Sequence, residues 1–238
     1  MNAVQWFDGC EQPRSAALGP GVFETMRVRC GAVEELDRHL ARLERGARAL
    51  GFGVRGDERA EIGRYLLAQG LQDCALRLAL EPDARGVHCT LSARAPRSVG
   101  PEGVRLVLLE AVRLRYDPLC VHKRTQRGLY EFALAFAQGQ GAFDAVLLDE
   151  AGALLECATA NLHARIEGEW WSPGAPQGVL PGLEREKFLQ QFGVWREVAI
   201  PREDLLRAEA LCLSNRVLGV LPVAAIEGLW EGAAGRNK

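Results

Sequence analysis

The stretch that decides the fold is ALLECATANLHARI, residues 153–166. Two apolar runs flank the small-residue segment CATA, which predicts a strand, a tight connection and a second strand. Glu156 lies within the first apolar run, where burial of an unpaired carboxylate is costly. The carboxylate of Glu156 must therefore be neutralised or paired with a positively charged group.

The bulk composition is that of an ordinary globular chain. Its 238 residues are 48% hydrophobic and 25% charged, enough for one large domain or two small ones with a core. The formal net charge of −2 does not favour a nucleic-acid partner. No apolar run approaches the roughly 18 residues that span a bilayer, and the N-terminus MNAVQWFDGCEQPR lacks a signal-peptide pattern. We therefore expect a cytoplasmic protein that does not bind membranes.

The cysteines and histidines show neither a disulfide framework nor a metal-binding pattern. Seven cysteines are scattered without a CxxC pair, which indicates reduced thiols. The four histidines lack the HxxxH or HxH spacing of zinc ligands, so no metal is expected. GFGVRG at residues 51–56 matches GxGxxG but follows a predicted helix instead of a strand. We interpret Gly51 as the end of that helix.

The order of predicted elements indicates an α+β fold of two domains. Residues 1–112 combine short strands with helices over DRHLARLERGARALGFG and GDERAEIGRYLLAQGL. Residues 113–122 contain Pro118 and mixed polarity, and we interpret them as the interdomain connection. Residues 123–238 form a strand-rich second domain that begins with a helix over LYEFALAFAQGQG.

Lysine is rare in this chain. Only three of its 29 basic residues are lysines, namely Lys123, Lys187 and Lys238. A lysine that forms a Schiff base needs a pocket in which its amine can become neutral. Lys187 lies on a charged helix face and Lys238 is the last residue, so Lys123 is the candidate. The alternative is that Lys123 is an ordinary surface lysine.

Glu156 has two interpretations. It forms a salt bridge to one of the many arginines, or it faces the protonated ring nitrogen of pyridoxal 5′-phosphate (PLP), which keeps the ring able to accept electrons. A phosphate cradle is available in GVLPGLERE, residues 178–186, where a helix begins with unpaired N–H groups at Leu183 and Glu184. Arg42 could add a fixed charge. An ordinary helix start and an exposed helix arginine are the alternatives.

Taken in order, six segments resemble the fold type IV PLP enzymes, the family of branched-chain aminotransferases, D-amino-acid aminotransferases and aminodeoxychorismate lyases. The resemblance covers nearly the whole chain, and the ordered set is specific although each motif alone is weak. It implies an N-terminal α/β two-layer sandwich, a C-terminal pseudobarrel, PLP between the domains, and a homodimer with a small-molecule substrate. The segments are GVFETMRV (21–28), RHLARLERGARALG (38–51), HKRTQR (122–127), DAVLLDEAGALLECATANL (144–162), LPGLER (180–185) and LSNRVLGVLPV (213–223).

The resemblance also implies roles for individual residues. Lys123 matches the lysine that forms the Schiff base with PLP and moves protons during catalysis. Glu156 matches the glutamate that pairs with the ring nitrogen. The positions implied at the phosphate are Arg42, Leu183, Glu184, Asn215 and Arg216, and those implied on the substrate side are Arg27 and Arg127.

Within this family, three features are most similar to aminodeoxychorismate lyases. SNRVLGVLPV resembles the lyase pattern N-x-x-x-G-x-x-P-V, Arg127 follows Lys123 by four residues, and the chain is short. The implied enzyme is a PLP-dependent carbon–oxygen lyase of folate biosynthesis, which converts 4-amino-4-deoxychorismate to 4-aminobenzoate and pyruvate via a PLP aldimine. A branched-chain or D-amino-acid aminotransferase is the alternative, although Leu18 stands where branched-chain enzymes have a substrate tyrosine. A catalytically degenerate PLP-binding protein is the third hypothesis.

The chain departs from the family pattern at several positions. Glu184 replaces a hydroxyl or neutral residue at the phosphate, where a carboxylate should repel the ligand. We expect Arg216, which is equally unusual at its position, to offset that charge by pairing with Glu184 or with the phosphate. Gln126 replaces the lyase-type asparagine, and LGPG at residues 18–21 replaces the usual YGDG.

Overall fold

The computed structural model describes residues 4–7, 10–13 and 20–232, with side chains described from residue 20 onward. Leu18 and Lys238 lie outside the described residues. The chain divides into two compact units. The first contains the described residues up to Arg97 together with His122–Gln126, and the second contains Ser98–Val121 and the chain from Arg127 onward.

The first unit is a two-layer α/β sandwich. Its described elements are β1 (Val4–Phe7), β2 (Cys10–Pro13), β3 (Val22–Arg29), β4 (Ala32–Val33), α1 (Leu36–Ala49), α2 (Glu58–Ala68), β5 (Cys74–Asp83) and β6 (Gly86–Arg94). The strands pair antiparallel in the order β2–β1–β6–β5–β3–β4. Alternate residues of β3, such as Val22 and Met26, pack in one core with Leu43 and Ala47 of α1. The expected N-terminal sandwich is confirmed.

Helix α1 ends where the sequence predicts. Leu40, Leu43 and Ala47 recur at helical spacing and contact the sheet or its core. The helix ends at Ala49, and Gly51 follows with a φ of +84°, a backbone conformation that glycine adopts without strain. GFGVRG therefore connects α1 to α2, and it does not follow a strand.

The segment His122–Gln126 adds to the first unit beside the beginning of β3. The amide of Phe23 donates to the carbonyl of Lys123, and the amide of Thr125 donates to the carbonyl of Gly21, each at 2.9 Å. The hydroxyl of Thr125 accepts from the amide of Gly21 at 2.9 Å. A Cβ at Gly21 would lie 2.0 Å from a carbonyl oxygen of β5, so this close approach requires glycine.

The second unit is built around a closed barrel. Its described elements are β7 (Val104–Leu114), α3 (Gly128–Gly139), β8 (Asp144–Asp149), β9 (Leu154–Cys157), β10 (Asn161–Ile166), β11 (Glu169–Trp171), α4 (Leu183–Leu189), β12 (Trp195–Arg196), α5 (Arg202–Leu205), β13 (Ala208–Asn215), β14 (Gly219–Ile226) and β15 (Trp230–Glu231). Short 3₁₀ turns occupy Pro118–Val121 and Ala175–Gln177.

Among these described strands, β9–β10–β13–β14–β7–β8 form a ring that returns to β9. Strand β7 is parallel to both of its neighbours, and the other pairs in the ring are antiparallel. The ring closes through one residue pair, Glu156 opposite Asn161. Leu106, Val146 and Leu213 belong to the buried core of this unit. The expected C-terminal pseudobarrel is confirmed.

The domain boundaries differ from those expected at residues 112 and 123. Strand β7 was expected in the first domain, but it pairs with β8 and β14 in the barrel. Lys123 was expected in the second domain, but backbone hydrogen bonds to Phe23 and Gly21 join its segment to the first unit. Both differences arise from pairings between residues far apart in sequence, which local patterns do not specify.

Two further properties concern residues 20–232. No helix there is long and apolar enough to cross a membrane. Over the same range, no group of three or more His, Cys, Asp or Glu side chains is arranged to hold a metal ion. The cysteines of this range are free thiols.

Candidate active site

Glu156 is a buried carboxylate at the position where the barrel closes. It lies on β9, whose residues are all buried, and Glu156 itself is 5% exposed. The hydroxyl of Tyr130 donates to Oε1 at 2.8 Å, and Nδ2 of Asn161 donates to Oε2 at 3.4 Å. These two neutral donors orient the carboxylate. A carboxylate has about four lone-pair sites, so it can also accept an N–H group from a ligand.

Tyr130 on α3 is a functional candidate that the sequence patterns above do not single out. Burial and the charge of Glu156 hold the pKa of Tyr130 well above its usual range, so the phenol remains a donor. The sequence signal is its spacing, because Tyr130, Ala133 and Ala137 recur on one helix face and pack in the same cluster. That face covers β7 and β8, so the phenol is held by packing as well as by its hydrogen bond.

Arg127, expected on the substrate side, is engaged close to Tyr130. Its Nη2 donates to the carbonyl of Ala158 at 2.6 Å, and its guanidinium carbon lies 4.7 Å from the centroid of the Tyr130 ring. Burial lowers the pKa of Arg127, and the charges of Tyr130 and Glu156 act in the opposite direction. Contact between Arg127 and a substrate stays a prediction.

The turn between β9 and β10 is held by Asp144, the first residue of β8. Its Oδ1 accepts from the amides of Ala145 and Ala158 at 2.8 and 3.0 Å. Its Oδ2 accepts from the amide and the hydroxyl of Thr159 at 3.0 and 2.5 Å. Asp144 is fully buried, so these four donors satisfy a carboxylate that would otherwise destabilise the fold. Asp144 therefore determines the path of the chain directly after Glu156.

Asn161 connects Glu156 to the turn that precedes α4. Besides donating to Glu156, its Nδ2 donates to the carbonyl of Leu180 at 2.9 Å. A Cβ at Gly182 would lie 2.1 Å from Oδ1 of Asn161, which explains the glycine of LPGLER. Asn161 belongs to the family motif, which implies no role for it, and its signal is a side-chain amide at the buried start of β10.

Leu183 and Glu184 begin α4, and both are buried. Nη1 of Arg216 donates to Oε2 of Glu184 at 2.8 Å, with side-chain exposures of 11% and 9%. The expected pairing of Arg216 with Glu184 is therefore confirmed, and the pair is neutral overall. Phosphate binding by the amides of Leu183 and Glu184, and by Arg216, stays a prediction.

Asn215 forms the turn from β13 to β14. Its Oδ1 accepts from the amides of Val217 and Leu218 at 3.1 and 2.9 Å. Gly219 opens β14 with a φ of +75°, a region that favours glycine. The asparagine and the glycine of N-x-x-x-G thus both have a structural reason. Contact between Asn215 and phosphate stays a prediction.

Lys123 lies in the first unit with its backbone fixed beside β3. Its Nζ is 4.6 Å from the centroid of the Phe23 ring, a distance typical of a cation–π contact. The residue is partly buried, whereas Lys187 on α4 is exposed. A partly buried amine on a fixed backbone is compatible with a Schiff-base lysine, and the link between Lys123 and PLP stays a prediction.

The two expected arginines of the first unit both have carboxylate partners. Arg42 on α1 is buried and donates to both oxygens of Glu24. Arg27 on β3 forms a salt bridge with Asp73, in which Nη2 donates a hydrogen bond at 2.8 Å, and the Asp73 side chain is 61% exposed. Contact of Arg42 with phosphate and of Arg27 with substrate stay predictions.

The donor set fits PLP. The oriented carboxylate of Glu156 suits a protonated ring nitrogen, and arginine donors suit a phosphate. In the second unit, Glu156, Asn161 and the turn before α4 form a connected series that continues through Glu184 to Arg216. Of the expected site residues, the structure brings Glu156, Arg127, Leu183, Glu184, Asn215 and Arg216 into the second unit, and Lys123, Arg42 and Arg27 into the first.

The chain is similar to known proteins over most of its length. A family model described as Amino-transferase class IV matches residues 21–226. An aminodeoxychorismate lyase of Vibrio harveyi is 27% identical over 257 residues, which cover 93% of this chain and 90% of that protein. A D-alanine aminotransferase of Bacillus licheniformis is 24% identical over 248 residues, which cover 94% of this chain and 86% of that protein. The crystal structure of 4-amino-4-deoxychorismate lyase from Pseudomonas aeruginosa has a TM-score of 0.81 and 26% identity, covering 98% of this chain and 96% of that chain.

Proposed function

Because the chain belongs to the class IV amino-transferase family, whose members depend on PLP, we propose that it is an aminodeoxychorismate lyase. The proposed reaction converts 4-amino-4-deoxychorismate to 4-aminobenzoate and pyruvate, a step of folate biosynthesis. The Vibrio harveyi and Pseudomonas aeruginosa lyases support this choice, because each match covers 90% or more of both chains. We also propose that the protein works as a cytoplasmic homodimer.

The observation that carries the choice of a lyase is the turn between β13 and β14. Asn215 closes this turn through two amides, and Gly219 takes the positive φ that ends it. These are the two residues that define the lyase-type pattern N-x-x-x-G-x-x-P-V. The aminotransferase version, G-T-A-A-E, lacks the side-chain amide that forms this turn.

The proposed function gives each expected site residue a role. Lys123 would supply the amine that links to PLP, and Glu156 would hold the proton on the ring nitrogen. Tyr130 and Asn161 keep the carboxylate of Glu156 in one orientation. Arg42, the beginning of α4 and Arg216 are the proposed phosphate-binding groups. Bound PLP supplies a sink for the electron pair released when a bond to the substrate carbon breaks.

Lys123 acts as the general base in its neutral form. Its amine removes the proton from the ring carbon that carries the substrate amine. The bond between the substrate ring and the enolpyruvyl oxygen then breaks, and the ring becomes aromatic as 4-aminobenzoate. The departing enolate takes up one proton and leaves as pyruvate, so atoms and electrons balance without an oxidant. Glu156 would accept a hydrogen bond from the protonated ring nitrogen of bound PLP.

The test is product formation from enzymatically made 4-amino-4-deoxychorismate by the PLP-loaded protein. We expect equal amounts of 4-aminobenzoate and pyruvate, the latter measured with lactate dehydrogenase and NADH. Lys123→Ala should lower the rate by about 10²–10⁴-fold, the usual contribution of a general base. Lys187→Ala is the matched control, because this exposed helix lysine should have no effect.

An aminotransferase is the second candidate, favoured by the match to D-alanine aminotransferase over 94% of this chain. It would convert PLP to its amine form when an amino acid alone is added, with loss of the aldehyde absorbance. D-alanine would also yield pyruvate, so 4-aminobenzoate is the decisive product. Loss of the aldehyde absorbance without formation of 4-aminobenzoate would replace the lyase by this candidate. A protein that binds PLP and does neither would support the catalytically degenerate alternative.

A further inference from the structure

A cluster of charged side chains is buried between the sheet and α1 of the first unit. Glu24 lies between Val22 and Met26 on the face of β3 that packs against the helices. His39 and Arg42, three residues apart on α1, meet it there. The exposures of Glu24, His39 and Arg42 are 1%, 0% and 8%. Three such side chains inside an aliphatic layer require an explanation beyond packing.

The contacts within the cluster are short and specific. Arg42 donates through Nε to Oε1 of Glu24 and through Nη2 to Oε2, both at 2.6 Å. Nδ1 of His39 lies 2.8 Å from Oε2 of Glu24. Burial raises the pKa of Glu24, but pairing with Arg42 and His39 outweighs burial and lowers this pKa to about 2. Glu24 is therefore an ionised, doubly supported partner of Arg42.

This pairing occupies only one edge of the Arg42 guanidinium. A guanidinium carries five N–H donors in a rigid planar fork, of which the bidentate contact with Glu24 uses the Nε donor and one on Nη2. Nη1 makes no hydrogen bond to any residue that the structure describes, and the Arg42 side chain is 9% exposed. Nη1, which lies away from the edge that contacts Glu24, thus has a fixed direction and two N–H donors.

Stability alone does not explain the cluster. Apolar side chains of similar volume usually stabilise a core as well as a buried ion pair does, or better. A bidentate carboxylate does what apolar packing cannot do, because it fixes the plane and the direction of a guanidinium. The function of the cluster is therefore to orient Arg42.

We propose that Glu24 is a positioning residue that directs the Nη1 edge of Arg42 toward the phosphate of PLP, with His39 holding Glu24 in turn. The inference rests on the proposed function, since it takes Arg42 as a phosphate-binding residue. Glu24 acts only through Arg42 and does not touch the cofactor.

Charge and orientation predict opposite results when Glu24 is replaced by glutamine. As a negative charge beside Arg42, Glu24 weakens the attraction for phosphate, so its neutralisation alone should strengthen binding. As the orienting partner, Glu24 keeps the donors aimed, so its loss should weaken binding. We expect orientation to dominate, because charge-assisted hydrogen bonds depend steeply on geometry.

The experiment compares the affinity of the apo-protein for PLP and for pyridoxal, which lacks the phosphate. The dissociation constant for pyridoxal divided by that for PLP, both measured by fluorescence titration, isolates the phosphate contribution. A larger ratio means that the phosphate contributes more to binding. Arg42→Ala should reduce this ratio by about 10- to 100-fold, the effect of losing charged hydrogen bonds. Glu24→Gln should reduce it by about tenfold. The double variant should resemble Arg42→Ala alone, because Glu24 acts through Arg42.

Two further variants control for unfolding and for the loss of a buried acid. Glu61→Gln removes another buried carboxylate of the first unit, which is paired with Arg64, and should leave the ratio unchanged. Glu24→Asp keeps the charge but shortens the side chain, so it should lower the ratio even if Glu24→Gln fails to fold. Circular dichroism of each apo-protein establishes which variants are folded.

The outcomes separate the inference from the proposed function. A ratio that is unchanged or increased in Glu24→Gln, together with a reduced ratio in Arg42→Ala, would overturn the positioning role alone. The same holds if the Glu24 and Arg42 effects simply add. An unchanged ratio in Arg42→Ala would remove Arg42 from the phosphate site and would overturn the inference with it. Formation of 4-aminobenzoate is measured separately and tests the reaction.

Discussion

Two buried glutamates, one in each unit, are held in different ways. Glu24 is 1% exposed and forms an ion pair with Arg42 at 2.6 Å. Glu156 is 5% exposed and accepts hydrogen bonds from the neutral groups of Tyr130 and Asn161 at 2.8 and 3.4 Å. At Glu24, the charge of the carboxylate is compensated within the protein by the charge of Arg42. At Glu156, the hydrogen bonds from these neutral donors orient the carboxylate.

The surrounding arginines extend this comparison. Arg127 and Arg185 both interact electrostatically with Glu156. Arg127 donates a hydrogen bond to the carbonyl of Ala158, and Arg185 bonds to Ser172 and to a further carboxylate. The difference teaches that the partners of a buried acid, more than its burial, distinguish a structural carboxylate from one suited to a cofactor.

The largest expected effect is on stability. Glu24→Gln should lower the free energy of unfolding of the apo-protein by about 3–5 kcal/mol, because Arg42 loses its buried partner. Glu156→Gln should cost only about 1 kcal/mol, because the hydroxyl of Tyr130 can donate or accept and so adjusts to a carboxamide. Urea unfolding without PLP measures both values. Equal losses would remove the distinction between the two glutamates.

The pH dependence of the Glu24 contribution is the next effect. The pKa of Glu24 is lowered from 4.5 to about 2, so the stability it contributes is present above pH 4.5 and is lost as the pH falls toward 2. The difference corresponds to about 3 kcal/mol. We expect the stability gap between the native chain and Glu24→Gln to be full at pH 6 and about half as large at pH 3. A gap that is constant over this range would contradict the ion pair.

The smallest expected effect concerns Tyr130. Tyr130→Phe removes one neutral hydrogen bond to Glu156 and should cost about 1 kcal/mol of unfolding free energy and up to about tenfold in PLP affinity. The ratio of PLP to pyridoxal affinity should not change, since Tyr130 is proposed to act at the ring end, in contrast to Glu24. Tyr116→Phe is the control, because Tyr116 is 63% exposed. A change in the ratio would show that binding at the ring end of PLP and binding at its phosphate end are not independent.

Local patterns were sufficient for much of the fold. The spacing of Leu40, Leu43 and Ala47 predicted α1, and Gly51 predicted its end. The apolar run around Glu156 predicted a buried strand with a carboxylate that needs a partner. The pairing of Arg216 with Glu184 followed from charge compensation at unusual positions and is present at 2.8 Å.

Other features depend on contacts that a linear pattern does not contain. The apolar alternation of β7 predicts a strand but not which sheet it joins, and its parallel partners come from distant parts of the chain. The partners of Glu156 lie on a helix and on the neighbouring strand, so Tyr130 was not identified. Glu24 was visible in FETMRV as an acid on the apolar face of β3, but only the position of α1 shows that Arg42 is its partner.

The return of His122–Gln126 to the first unit has a consequence for dissecting the molecule. In a fragment that stops at Arg97, the amide and carbonyl of Gly21 and the amide of Phe23 would lose their hydrogen-bond partners, because those partners come from this later segment. The sandwich therefore cannot be excised by one cut, and a minimal version would have to graft the five-residue piece onto it through an artificial tether. In gene shuffling between relatives, a single crossover near residue 97 would give a chimeric protein in which Lys123 and β3, the strand beside it, come from different parents.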